Sequence, residues 1–158
     1  MKRLIYLFLL IIFYGCSGTS VEYRTATTAA RGDKDFNKAE KFALEAIEKY
    51  PTDALPAYFL ATEIYAGQNS PTVKKDYYKA AEFFKKAIEM DNQTEEDQEL
   101  ENPIISQDAD GNVKQLLTIK EGVEYYSYSL WAEAFNKGVE LVALANENSS
   151  DSGNPNKK

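Results

Sequence analysis

Residues 35 to 50 read DFNKAEKFALEAIEKY, residues 76 to 91 read DYYKAAEFFKKAIEMD, and these two segments decide the fold. They align without gaps at an offset of 41 residues, and seven of the sixteen aligned positions are identical. Each segment opens with an aspartate suited to capping a helix, and its apolar residues recur at helical spacing. We therefore predict that both are amphipathic helices belonging to one repeated unit.

Small side chains within the repeat carry a family resemblance. Ala39 and Ala46 lie seven residues apart on one helix face, as do their counterparts in the second copy, which permits close approach of a neighbouring helix. An aromatic residue precedes the first alanine of each copy by three positions, and Pro51 closes the first copy. The pattern resembles the second helix of a tetratricopeptide repeat. This resemblance implies an all-α fold, with a short stack of antiparallel helical hairpins and about two repeats in residues 20–92.

The first helix of each unit lies upstream of the repeated segment. In the second unit it is predicted within Asp53 to Gly67, with Pro56 in the first turn, where proline is tolerated. In the first unit it is predicted within Val21 to Arg31. The family period is about 34 residues, so the longer observed offset implies seven extra residues between the helices of unit two. An unrelated helical bundle is the alternative, because alanine-rich amphipathic helices are common.

Residues 93–117 are predicted to be an acidic irregular insertion, either a loop or a small hairpin turning at Asp110 and Gly111. The turn sequence DADGN suggests a calcium loop, but its glycine comes too early for an EF-hand, so no metal site is predicted. A glycosidase needs two carboxylates held across a cleft, which a solvated acidic loop does not provide. The carboxylates considered for such a pair are Glu95, Glu96, Asp97, Glu99 and Glu101.

Helical periodicity resumes in residues 118–146, which are predicted to form one long C-terminal helix. Part of it resembles the opening helix of a further repeat, with Gly138 at the close-packing position. This helix either caps the stack or leads into further repeats. Residues 147–158 are polar and small, and we predict them to be a disordered tail.

The N-terminus has the layout of an export signal. Lys2 and Arg3 precede an apolar run of about ten residues, and residues 1–15 are predicted to be a signal peptide. At about 1.5 Å per residue the run covers only half of a bilayer core of about 30 Å, so a spanning helix is disfavoured.

Gly15 and Cys16 resemble the lipobox of bacterial lipoproteins, in which the thiol is acylated with a fatty acid such as palmitate and the chain is cut before it. Residues 16–19 would then be a lipidated N-terminus. Ser17 implies, by the same resemblance, sorting to the outer membrane, and we expect a domain that faces the periplasm. An ordinary signal peptide with an incidental cysteine is the alternative.

Composition limits the chemistry of this chain. It contains no histidine and a single cysteine, which removes Cys/His zinc sites, intrachain disulfides and histidine-dependent catalysis. The formal charge is −7, and without residues 1–15 it becomes −9, from 16 cations and 25 anions. Nucleic acid is therefore not an expected partner, and neither a cofactor nor enzymatic activity is expected.

The family resemblance implies a partner-binding groove lined by the first helices. Basic and aromatic residues there suit an extended peptide with an acidic or C-terminal carboxylate group. The alternative is that the tyrosines pack against the final helix while the arginines are solvated. The groove positions are Val21, Arg24, Thr28, Arg31, Leu55, Tyr58, Thr62 and Tyr65.

A second candidate surface is the aromatic cluster Tyr125, Tyr126, Tyr128 and Trp131. Aromatic residues at helical spacing are more often core than site, so we expect core packing, with an exposed face for a partner or the bilayer as the alternative. The resemblances together imply a membrane-anchored protein-interaction scaffold or assembly factor of the bacterial envelope. The alternative function is a periplasmic-face receptor for a peptide or glycan.

Overall fold

The computed structural model describes residues 19–67 and 75–152, the last five of them through the backbone only. Within these residues the chain forms five helices and a two-stranded antiparallel sheet, and 67% of the structure is helical. The prediction of an all-α protein is therefore correct in outline, and the small sheet is an addition to it. The elements are α1 (Val21–Thr28, continued by a π-helical turn Ala29–Asp33), α2 (Phe36–Lys49), α3 (Leu55–Phe59, continued by a π-helical turn Leu60–Tyr65), α4 (Tyr77–Asp91), β1 (Glu99–Gln107), β2 (Val113–Thr118) and α5 (Ile119–Ser152).

Aspartate caps begin both repeated helices. The carboxylate of Asp35 accepts a hydrogen bond from the backbone N–H of Lys38 at 3.0 Å, and Asp76 does the same for Lys79 at 3.0 Å. Each bond satisfies an N–H group that has no partner inside the helix. The predicted caps of α2 and α4 are thus confirmed.

The repeated alanines are fully buried in the core. Ala39, Ala46, Ala80 and Ala87 are all 0% exposed. Side chains of this size let helices approach closely, and a larger residue would cost about 1–3 kcal/mol through overpacking. The core lies among α1 to α4 and is closed by the first half of α5.

Both first helices, α1 and α3, end in π-helical turns. The backbone after α1 turns through Lys34 at φ 58°, and the backbone after α3 turns through Gly67 at φ 62°. Glycine takes this left-handed conformation freely, whereas another residue pays about 1 kcal/mol. The π turns matter for the site because one contains Arg31 and the other contains Glu63.

Strands β1 and β2 form a hairpin in which Ile104 pairs with Leu116. Between Glu99 and Ile104 the register shifts, so β1 bulges, and Pro103 lies in the bulge, where its missing N–H removes no ladder bond. At the turn, Gly111 adopts φ 86°. Of the two alternatives left open for residues 93–117 the structure has the hairpin, and most of the segment predicted to be irregular is in strands.

Gln98 joins the start of the hairpin to the helices. Its side chain accepts from the Ala54 N–H at 2.9 Å and donates to the Thr52 carbonyl at 2.8 Å. Its backbone N–H donates to the buried carboxylate of Asp91 at 2.7 Å, and its carbonyl accepts from the Ile119 N–H at 2.8 Å. These four bonds fix the hairpin and the start of α5 against the turn between α2 and α3.

Helix α5 packs on the core only through its first half. Ile119, Val123 and Leu130 are buried, whereas every side chain described from Phe135 to Glu147 is exposed. The second half of α5 therefore extends beyond the core.

Two predictions concern the chain ends. Helix α5 runs to Ser152, six residues past the predicted helix end at Asn146. The predicted signal peptide (residues 1–15), Cys16 and residues 153–158 lie outside the described residues.

Candidate binding site

The main candidate site is a partly open cavity of about 350 Å³ lined by α1, α3, the bulged part of β1 and α5. This volume is at the lower end of the range for small-molecule and peptide side-chain pockets. Its walls are mostly aromatic and aliphatic, with one charged cluster. The lining residues are Tyr23, Arg31, Leu55, Tyr58, Phe59, Thr62, Glu63, Leu100, Glu101, Asn102, Ile104 and Tyr126.

The charged cluster is centred on Arg31. Its guanidinium donates to the Glu63 carboxylate from Nη2 at 2.5 Å and from Nε at 3.0 Å, and Nη1 donates to Glu101 at 3.1 Å. These hydrogen bonds, with Glu63 first, raise the pKa of Arg31 further above its ordinary value. The Glu63 side chain is only 8% exposed, so the ion pair with Arg31 offsets the cost of burying its carboxylate. The cluster carries one positive and two negative charges.

Tyr58 forms the wall nearest α5. Its ring lies 6.2 Å from that of Phe84 and 6.3 Å from that of Tyr126. A Cβ atom placed on Gly122 would lie 2.7 Å from the Tyr58 hydroxyl oxygen, so the glycine leaves room for the phenol. Burial raises the pKa of Tyr58, and the phenol stays protonated as a hydrogen-bond donor.

The structure brings together four of the predicted groove residues: Arg31, Leu55, Tyr58 and Thr62 line the cavity. The predicted role of Arg31 as a free partner for a carboxylate needs correction, because two glutamates of the chain already occupy its guanidinium.

The other predicted groove residues lie elsewhere. Val21, Arg24 and Thr28 are exposed on α1, away from the cavity. Tyr65 is 7% exposed and points the other way: its hydroxyl donates to Glu40 at 2.5 Å and its ring stacks on Phe83 at 5.3 Å. A π turn has more residues per turn than an α-helix, so a residue seven positions after Tyr58 no longer shares its face.

Strand β1 contributes to the cavity, and the sequence did not predict this contribution. The bulge directs Leu100, Glu101 and Asn102 to the cavity, as bulges often do when they re-aim side chains near a site. Glu101 was considered only as part of a solvated acidic run. The signal that indicates otherwise is the pair Leu100 and Ile104, apolar residues within an acidic segment.

The aromatic cluster on α5 is not core, contrary to expectation. Tyr128 is 73% exposed and Trp131 is 62% exposed, and Tyr125 is also exposed. Only Tyr126 is partly buried, against Tyr58. The candidate aromatic face of Tyr125, Tyr128 and Trp131 is thus at the surface.

The DADGN segment closes the hairpin turn. The Asp108 carboxylate accepts hydrogen bonds from the Asn112 side chain at 3.0 Å and from the backbone N–H groups of Asn112 at 2.8 Å and Asp110 at 3.0 Å. The bond from the Asn112 side chain, followed by the backbone bonds, lowers the pKa of Asp108. Such bonds are typical of an Asx turn. Within residues 19–67 and 75–152 there is no group of three acidic, histidine or cysteine side chains placed to hold a metal ion.

Comparisons of the chain with protein-family models, with curated proteins and with solved structures return no match. No helix in the described part of the chain combines the length and apolar character needed to cross a bilayer.

Proposed function

We propose that this chain is a membrane-anchored protein-interaction scaffold or assembly factor of the bacterial envelope, acting by binding alone. The observation that carries this proposal is the cavity between α1, α3 and β1. Its aromatic and aliphatic walls surround one charged cluster whose charges are already largely paired. Such a lining suits an apolar side chain of a partner.

The proposal takes α1 to α4 as a short tetratricopeptide-like stack of two helical hairpins. In support, α1 and α3 begin at Val21 and Leu55, 34 positions apart, which is the period of the family. Helices α2 and α4 begin 41 positions apart, at Phe36 and Tyr77. The seven additional residues therefore lie between α3 and α4, the position expected from the internal repeat of the sequence.

The bound ligand in this proposal is an extended peptide segment that bears a carboxylate. One of its apolar side chains enters between Leu55 and Tyr58, while its carboxylate replaces Glu101 at Nη1 of Arg31. Glu101 is the partner that can leave, because it makes one bond to Arg31 from an exposed strand, whereas Glu63 makes three from the buried π turn. Asn102, also in the bulge, provides amide groups for the peptide backbone.

A receptor for a free peptide or glycan fragment is the second candidate. The enclosed volume and the tyrosines Tyr23, Tyr58 and Tyr126 in the lining favour it, because aromatic faces bind sugars and small peptides with little loss of side-chain entropy. A receptor would bind its ligand without a stoichiometric protein partner. A scaffold would retain a protein.

Two variants with opposite expected effects test the site. Leu55→Lys puts a charge into the cavity and should reduce partner capture from detergent-solubilised envelopes at least tenfold. Glu101→Gln removes the internal competitor and should increase capture of carboxylate-bearing partners severalfold. Leu44→Lys is the matched control, since Leu44 is exposed on α2 and away from the cavity.

The outcomes separate the candidates. Equal capture of the partner by wild type and by Leu55→Lys would exclude the cavity as the binding site. Recovery of no stoichiometric partner by wild type would contradict a scaffold and leave the receptor, to be tested by binding of envelope peptides to the purified chain.

The anchor is tested separately. In the proposal Cys16 carries the lipid, and the chain is an outer-membrane lipoprotein facing the periplasm. Radiolabelled palmitate should label the wild-type chain and not Cys16→Ser. Labelling of both chains, or of neither, would contradict lipidation at this residue.

A further inference from the structure

We infer that residues 128–142 of α5 form a self-association surface, on which two copies of this chain pair their α5 helices in antiparallel orientation. The starting observation is the large apolar area that this stretch of α5 exposes. Six large apolar side chains are each more than half exposed there: Tyr128, Trp131, Phe135, Val139, Leu141 and Val142. Soluble surfaces rarely expose so many together without a partner.

The aromatic members of this surface are already ordered. The rings of Trp131 and Phe135 stack at 5.5 Å between centroids, and those of Tyr128 and Trp131 lie 6.5 Å apart. They form a ladder along the helix, so little side-chain freedom remains to be lost on binding.

The sequence of the face fits a second copy in antiparallel orientation. Tyr128, Trp131, Phe135, Gly138 and Val142 are spaced three and four residues apart, which is the seam of a paired helix. When two such seams run antiparallel about a point between residues 136 and 137, Trp131 meets Val142 of the other copy. Phe135 meets Gly138 of the other copy in the same arrangement. Each layer thus pairs a large with a smaller residue, which lets the two surfaces interdigitate.

Gly138 supports the same arrangement. Glycine is the least favourable residue other than proline inside a helix, and a Cβ atom at this position would meet no atom of the described residues within 4 Å. No packing within the described chain therefore accounts for this glycine. A phenylalanine ring approaching from another copy would use the space that a side chain would fill.

Charges lie on the opposite side of the helix. Glu133, Lys137 and Glu140 avoid the seam, and Ala132, Ala134, Val139 and Leu141 flank it without charge. Two copies therefore approach without like-charge repulsion. A bilayer surface is the less suitable occupant, because helices that lie in membranes carry mainly basic residues on their polar face, whereas this one carries two acids and one lysine.

The area is sufficient for a dimer. A fully buried aromatic side chain removes about 150–250 Å² from water, and on this basis the six side chains correspond to roughly 600 Å² per copy. Two copies together reach about 1,200 Å², the lower end of the range for specific interfaces. We expect a reversible dimer whose fraction rises with concentration.

Disulfide formation in cells tests the orientation. The full chain is co-expressed in two tagged forms, one Ala132→Cys and the other Val139→Cys, and cells are oxidised before electrophoresis. Antiparallel pairing brings these two positions together across the interface, so the mixture should give at least ten times more covalent dimer than either form alone. The chain that retains only Cys16 gives the background.

Three results would overturn the inference. One is no excess of cross-linked dimer in the mixture, and another is equal cross-linking of each single variant, which indicates parallel pairing. The third is binding of the purified monomer to lipid vesicles with no dimer at any concentration, which would assign the face to a bilayer.

Three further substitutions distinguish loss of the interface from loss of folding. Each is made in both cysteine forms of the cross-linking pair. Phe135→Glu should lower the covalent dimer at least tenfold, while Asn136→Glu, with the same charge on the far side, should stay within twofold of wild type. Gly138→Leu should also lower it without lowering the thermal midpoint of the purified chain, because leucine favours helix and its Cβ meets none of the residues that the structure describes in one copy. Unchanged cross-linking in both Phe135→Glu and Gly138→Leu would exclude this seam.

Discussion

Replacing Arg31 with methionine should destabilise the protein by about 2 kcal/mol. The change keeps most of the apolar stem and removes the cation that faces Glu63, whose side chain is 8% exposed. Loss of one partner from a fully buried ion pair costs about 3–5 kcal/mol. The arginine side chain is 45% exposed, so solvent reaches the pair and reduces that cost, and we expect about 2 kcal/mol. The thermal midpoint should fall by about 6 °C.

A double-mutant cycle distinguishes an ion-pair effect from a packing effect. Arg31→Met combined with Glu63→Leu removes both charges, and it should recover at least half of the loss, because replacing both partners by apolar groups is often nearly neutral. Arg24→Met is the matched control on the same helix, away from the cavity, and should change stability by less than about 0.5 kcal/mol. The measurement is urea unfolding followed by circular dichroism. A double variant as unstable as the sum of the two single variants would refute the reasoning.

Substitutions at three other positions should change the stability of the protein in a direction that follows from the structure. Lys34→Gly should raise the free energy of unfolding by up to about 1 kcal/mol in urea melts, because glycine adopts φ 58° without strain, and a loss would contradict this. Hydrogen bonds, first from Lys114, lower the pKa of Glu121 to about 2 from its ordinary 4.5, so its contribution to stability is complete above pH 4.5 and is lost as the pH falls toward 2. Glu121→Gln should therefore lose less stability than wild type in melts over that interval, and equal losses would exclude this role. Gly122→Ala should push on Tyr58 and cost about 1–2 kcal/mol, which Tyr58→Phe in the same chain should partly restore if the 2.7 Å contact is the cause, as thermal melts would show.

The parts of the fold that the sequence predicts well are those set by local signals. Asp35 and Asp76 cap helices because a short polar side chain at this position satisfies an N–H group three residues later. The buried alanines follow from their spacing of seven, which places them on one helix face. Each of these signals is contained within about one turn or one helix.

Long-range contacts account for what the sequence did not predict. Arg31 and Glu63 are 32 residues apart, and Arg31 and Glu101 are 70 apart. No local pattern indicates such pairs, so the arginine was interpreted as free. The π turns are likewise invisible to a pattern that assumes a constant helical period, which explains the wrong placement of Tyr65. The extension of α5 beyond Asn146 was missed because its last residues are polar and small, which is also typical of disorder.

The hydrogen bond between the Ala54 amide and Gln98 reports on the opening of the cavity. The amide of Ala54, a fully buried residue, donates to the Gln98 side chain, and the backbone of Gln98 bonds Asp91 and the start of α5. Deuterium can replace this hydrogen only when the Gln98 bond opens. The exchange rate of the Ala54 amide thus measures how often β1 separates from the helices and opens the cavity. A ligand that displaces Glu101 should accelerate that exchange, and one that closes the cavity should slow it.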